Sequence, residues 1–163
     1  MSTFDRALAL VMDIEGGYSD RPLKDDPGGA TLWGLSRRYN PDMPWPPTRD
    51  QAADRYRTHY WNAIQGDMLP WPVALVLFDA AVQHDPVTAV KLLQGALRVV
   101  ADGVLGPHTR AALNTRSPLD VAEEIIARRM IYYPELSNWE ANKLGWARRL
   151  LSMHREVLRT WAT

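Results

Sequence analysis

The sequence predicts a mainly α fold of the α+β kind, and three observations carry that prediction. Apolar residues recur at spacings of three and four in several separate stretches, which is the signature of amphipathic helices. One stretch, Val73 to Val82, is apolar on nearly all sides and must therefore be buried by partners around it. The first helical stretch is followed by about fifteen residues of turn chemistry that no helix can include. The expected architecture is a helical bundle around a central apolar helix, with a small irregular or β insertion after the first helix.

In order along the chain, Phe4, Ala7, Leu8, Val11 and Ile14 define the first helix, with Ser2 or Thr3 as its cap and Gly16-Gly17 as its end. In the insertion, Pro22, Pro27, Gly28 and Gly29 exclude a helix, and Asp20, Asp25 and Asp26 favour turns. Thr31 to Tyr39 is expected to form a short helix. Asn40 to Pro47 holds four prolines and stays irregular. Thr48-x-x-Gln51 is a capping-box pattern that opens a helix through Ala52, Tyr56, His59 and Tyr60. Pro72 suits the first turn of the apolar helix, which runs to about His84, and Pro86 suits the next, which runs to Leu97. Gly106-Pro107 opens a brief helix to Leu113, and Ser117 caps a long one with an apolar face of Val121, Ile125, Ile126 and Met130. Pro134 ends it. A last helix, Trp139 to Trp161, carries Leu144, Leu151, Val157 and Leu158.

The totals exclude several chemistries. The chain has 163 residues, is 46% hydrophobic and has no cysteine, so neither disulfides nor a thiolate site are possible. The apolar run is about ten residues, too short to cross a bilayer, so no stable membrane insertion is expected. No basic segment followed by an apolar run marks a signal peptide. The expected site of synthesis is the cytoplasm. Formal charge is zero but uneven: residues 1–85 carry 8 basic against 12 acidic residues, and residues 86–163 carry 11 against 7. The basic second part either orients the protein on an anionic polymer or reflects solvated helix faces.

The chemistry points to Glu15. A carboxylate in the last turn of a helix faces unpaired carbonyls, where a basic residue is the ordinary choice. Such a departure from the local rule is expected where function requires it. The loop after it can return a second carboxylate and the Thr31 hydroxyl to the same place. An acid, an ionised carboxylate and a hydroxyl that holds water form a glycoside-cleaving set. Other sets fail. His59, His84, His108 and His154 show no metal-ligand spacing, and there is no His-Glu-x-x-His. Ser36 lacks a nucleophile elbow. No metal and no cofactor is expected.

Glu15-Gly-Gly-Tyr18 followed by Asp26-Pro-Gly-Gly-x-Thr31-x-x-Gly34-Leu-Ser36 resembles the signature of glycoside hydrolase family 108, N-acetylmuramidases of phage lysis cassettes and bacterial secretion loci. Tyr56-Arg57-x-x-Tyr60-Trp61, Asp67-x-Leu69-Pro70 and Phe78-Asp79-x-Ala81-Val82 are similar to its later blocks. Asp102-Gly103-x-x-Gly106-Pro107-x-Thr109 and Gly145-Trp146-x-x-Arg149 resemble the peptidoglycan-binding segment that follows it. The chain departs where Asp20-Arg21 replaces Asn-Asp, where the loop before Asp26 is longer, and where Gln83-His84 follows Ala81-Val82 in place of Asn and a small residue.

The resemblance implies a lysozyme-like fold, with a catalytic part over 1–85 and a helical wall-binding part over 86–163 packed as one globular unit. It implies a peptidoglycan hydrolase, an endolysin cleaving the β-1,4 bond between N-acetylmuramic acid and N-acetylglucosamine. Glu15 would be the general acid, and Asp26 with Thr31 would serve the attacking water or the charged centre. An Asp before Pro-Gly-Gly also serves simply as a turn former, and Thr31 as a helix cap. Tyr18, Trp33, Tyr60 and Trp61 could stack on sugar rings, although aromatics at helical spacing also build cores. The expected partner is peptidoglycan, with no nucleic acid, a monomeric state, and a holin or similar channel for export. The alternatives are a lytic transglycosylase and a non-catalytic peptidoglycan-binding or virion module.

Overall fold

The structure is a computed structural model that describes residues 1–15 and 30–161. The described chain is mainly helical, with seven α-helices and a two-stranded hairpin after the first helix. It divides into two compact units, Met1–His59 and Tyr60–Thr163.

The first unit opens with α1 (Thr3–Glu15), whose buried face is Phe4, Ala7, Leu8, Val11 and Met12. Ser2 caps it: its hydroxyl accepts from the Asp5 amide at 3.1 Å, and its own amide donates to the Asp5 carboxylate at 2.9 Å. Strands β1 (Thr31–Leu32) and β2 (Leu35–Ser36) pair antiparallel, Thr31 opposite Ser36 and Leu32 opposite Leu35. The short helix expected over Thr31 to Tyr39 is therefore absent. Trp33 and Gly34 both take positive φ, 54° and 75°, which is the pair of conformations that a two-residue hairpin turn uses. Helix α2 (Arg49–Tyr56) begins with the complete Thr48–Gln51 capping box and buries Ala52 and Tyr56. It passes into a π turn, Arg57–Trp61. The Arg57 guanidinium lies 4.7 Å from the Phe4 ring centre, tying this turn to α1.

The second unit is built on α3 (Trp71–Gln83), which is buried from Pro72 to Ala81. Helices α4 (Pro86–Leu97), α6 (Pro118–Tyr132) and α7 (Trp139–Trp161) pack on it, and α5 (Pro107–Leu113) packs on α4. Asp85 and Ser117 cap α4 and α6 through their side chains. Helices from residue 86 onward thus surround much of the apolar helix.

Two helix faces differ from expectation. Met130 is exposed, while the neighbouring Arg129 is fully buried. The face of α6 turned inward is Val121, Ala122, Ile125 and Arg129 because Asp79, at the core of α3, draws the guanidinium in. On α7, Leu144, Leu151 and Leu158 are exposed, and Leu150 and Met153 join the expected Val157 in the core. One step along a helix turns a side chain by about 100°, so a shift of one residue moves it from core to solvent.

Candidate active site

Glu15 is the last residue of α1 and is half-buried. The turn of the hairpin comes to rest against it. A Cβ built on Gly34 would lie 2.8 Å from Glu15 Cβ and 2.9 Å from Glu15 Cγ, and would overlap the Tyr56 hydroxyl. Contacts that short do not occur, so the absence of a side chain at 34 is what lets the turn reach the helix end. Positive φ demands glycine at the same position for a second reason. The Tyr56 hydroxyl donates to the Trp33 carbonyl at 2.9 Å, which fixes the turn from α2. Three separate segments thus converge: the end of α1, the Trp33-Gly34 turn and the buried end of α2.

Thr31 stands on β1, two residues before this turn, and is half-buried. Trp33 is half-buried at the turn itself, and Tyr60 is half-buried in the π turn. Asp26 and Tyr18 lie outside the described residues. Trp61 does not fit its expected role as a sugar platform. It is fully buried, meets Phe78 edge-to-face at 5.4 Å, and donates from its indole to Asp67 at 2.9 Å. Gly66 packs flat on its ring, where a Cβ would come within 2.8 Å of Cε3. With no accessible face it belongs to the core.

Gly34 and Tyr56 are the residues that sequence reasoning did not place at the site. Their signal was present in the spacing Thr31-x-x-Gly34, because a glycine between two short β-prone pairs is a hairpin mark.

The second unit holds a separate polar cluster at its centre. Asp79 is fully buried and pairs with Arg129 at 2.8 Å and Arg149 at 2.9 Å. Burial alone would raise its carboxyl, but Arg149 and Arg129 outweigh that and hold it below the usual carboxylate range. Gln83 accepts from both the Arg129 guanidinium and the Tyr133 hydroxyl. Beside it, burial first and then the two arginines push His84 down to about 4, so it is neutral at pH 7. The Asp102-Gly103 motif has a structural task. Buried Gln94 bridges Asp102, the Val104 carbonyl and Thr109 at 2.6, 3.0 and 3.1 Å, and accepts from the Gly103 amide at 2.8 Å.

Comparison with known proteins places these two regions. The glycosyl hydrolase 108 family matches residues 8–84, and the predicted peptidoglycan domain matches residues 88–151. Among solved structures, the chain is similar to SagA of Brucella abortus at 32% identity, covering 96% of this chain and 94% of that one, with a TM-score of 0.87. No curated protein sequence matches it significantly. Glu15, Thr31, Gly34 and Tyr56 all fall within the hydrolase match, and the Asp102–Thr109 motif falls within the peptidoglycan match. The chain belongs to the glycosyl hydrolase 108 family, glycosidases acting here on peptidoglycan.

Proposed function

We propose that this protein hydrolyses the β-1,4 bond between N-acetylmuramic acid and N-acetylglucosamine, with Glu15 as the general acid. The observation that carries the reading is the seat of Glu15: a carboxyl at a helix C-terminus, braced by a turn whose glycine leaves no room for a side chain. A transferable proton must be held at a fixed point beside the glycosidic oxygen, and a side chain closed in by two neighbouring segments meets that demand. Asp26, with Thr31, positions the attacking water or steadies the oxocarbenium-like centre. Trp33, half-buried at the turn beside Glu15, offers a partial ring face to the sugars. The biological role is that of an endolysin of the phage type, monomeric, lysing the wall once released to it through a holin or similar channel.

Digestion of purified sacculi, followed by mass spectrometry of the soluble fragments, tests the reaction. Hydrolysis yields reducing muramic ends; a lytic transglycosylase yields anhydro ends one water lighter, and that product would overturn the reading. Release of no fragments, with the protein pelleting on sacculi, would make it a binding module. Asp26→Asn and Thr31→Ala should each lower turnover more than they lower the melting temperature. Unchanged turnover per folded molecule would remove them from the mechanism.

A further inference from the structure

Helices α4 and α6 flank an open groove of about 330 Å³ lined by Thr88, Lys91, Leu92, Arg128 and Tyr132. It is cationic by construction. Gly95, one turn along α4, lies under the Arg128 guanidinium: a Cβ there would sit 2.8 Å from a terminal nitrogen and 3.3 Å from Cζ. The missing side chain is what allows Arg128 to lie across α4. Glu124 takes the Nε edge of Arg128 at 2.9 Å, which leaves the terminal nitrogens without a carboxylate among the described residues. Lys91 has none either among them. The Asp85 carboxylate is engaged by the Thr88 amide and hydroxyl at 2.8 and 2.6 Å.

Tyr132 also lines a second cavity, of about 250 Å³, with Gln83, His84, Asp85, Asn138 and Trp146. Gln83 has its amide orientation fixed, because its oxygen accepts from Arg129 and Tyr133. Its Nε2 is therefore a donor, and it is buried without a partner, as is Nε2 of His84. A buried donor left unpaired costs about 1–3 kcal/mol, and an arriving acceptor recovers it. On one side of Tyr132 stand two cations, and on the other stands the orphan Gln83 donor beside an aromatic wall, with the Asp85 carboxylate there already held by Thr88.

We propose that this groove and the adjoining cavity bind the acidic stem peptide of peptidoglycan, a carboxylate against Lys91 and Arg128 and a peptide carbonyl toward Gln83. The inference rests on peptidoglycan being the substrate and names the part of it that the second unit grips. A phosphate-bearing polymer would use the cations but leave the Gln83 donor and the Leu92–Tyr132 wall without purpose, so the peptide fits better. The carboxylate meets Arg128 through charge-assisted hydrogen bonds, which are stronger than neutral ones and fix its orientation.

Titration of the full chain with the free stem tetrapeptide, read by calorimetry, tests this without any glycan. Wild type should bind saturably, and Glu15→Gln should bind equally. Lys91→Ala combined with Arg128→Gln should weaken binding by about tenfold or more, as loss of charge-assisted contacts requires. Gly95→Ala is the sharper variant, because it keeps every charge and displaces only the guanidinium. It should weaken binding while the melting temperature holds or rises, since alanine favours a helix over glycine. Inorganic phosphate at equal concentration should not compete. No saturable binding by folded wild type, unchanged binding in both variants, or equal competition by phosphate would overturn the proposal. Peptide binding without new reducing ends would instead count against the glycosidase chemistry alone.

Discussion

Glu15 and Gly34 are coupled through space, and that coupling predicts a mutational result. In Gly34→Ala, the new methyl meets Glu15 and the Tyr56 hydroxyl, and the residue must also hold a positive φ. The strain from φ alone is about 1–2 kcal/mol, and the displaced turn moves the carboxyl. Turnover on sacculi should fall by at least about tenfold, because misplacement by an ångström is costly in an oriented site. Wild-type turnover and unchanged thermal stability in Gly34→Ala would show that the turn does not brace the acid. The place of Glu15 at the end of a helix was legible from sequence, because the apolar spacing from Phe4 to Ile14 and the glycines that follow set that boundary. Trp61 was misread, because the same helical spacing serves a sugar platform and a core residue, and only its burial decides.

The central helix α3 carries one charge in its buried length, Asp79, and the stability of the second unit depends on how that charge is met. Removing one partner from a buried ion cluster leaves the others uncompensated, at a cost of about 3–5 kcal/mol. Asp79→Ala should lose that much in urea denaturation, and a loss below about 1 kcal/mol would contradict the assignment. His84 adds a pH dependence. Its folded-state pKa of about 4 lies below the ordinary imidazole value of 6.5, so between these limits the unfolded chain binds the proton more readily. Stability is then fully present above about pH 6.5 and declines as pH falls toward 4. Asp79, depressed as well, adds its own loss only at lower pH. Replacing His84 with Gln should flatten the melting temperature over that window; an unchanged slope would assign the dependence elsewhere. The buried length of α3 was legible as an apolar run. The inward turn of Arg129 was not, since nothing local in α6 distinguishes a buried arginine from a solvated one.

For the molecule as a whole, the helix boundaries followed from caps and prolines that act locally, and these were read within a residue or two. What escaped were pairings between distant residues: the hairpin in place of a helix over Thr31 to Tyr39, and the rotation of α7 that buries Leu150 and Met153. Helix α3 falls within the hydrolase match, yet the helices that pack most extensively on it, α4, α6 and α7, lie after residue 85. A fragment ending at Asp85 would expose the faces of Val73 to Ala81 that α4, α6 and α7 cover. It should therefore be insoluble or molten, with weak near-ultraviolet circular dichroism. A soluble 1–85 fragment that still cleaves sacculi would show that the later helices are dispensable to the fold. The basic excess of residues 86–163 coincides with the Lys91–Arg128 groove, which gives that charge a use beyond solubility.

The central claim is that Glu15 donates the proton in hydrolysis at the muramic acid linkage. Its most direct test is digestion of purified sacculi by wild type and by Glu15→Gln, followed by borohydride reduction and identification of the reduced sugar. Wild type should yield muramitol, and the variant should yield less by about two to three orders of magnitude. The variant's melting temperature should be unchanged or slightly higher, since a carboxylate has left a helix C-terminus. Reduced glucosamine in place of muramitol, or a variant retaining more than about a tenth of wild-type turnover, would contradict the account.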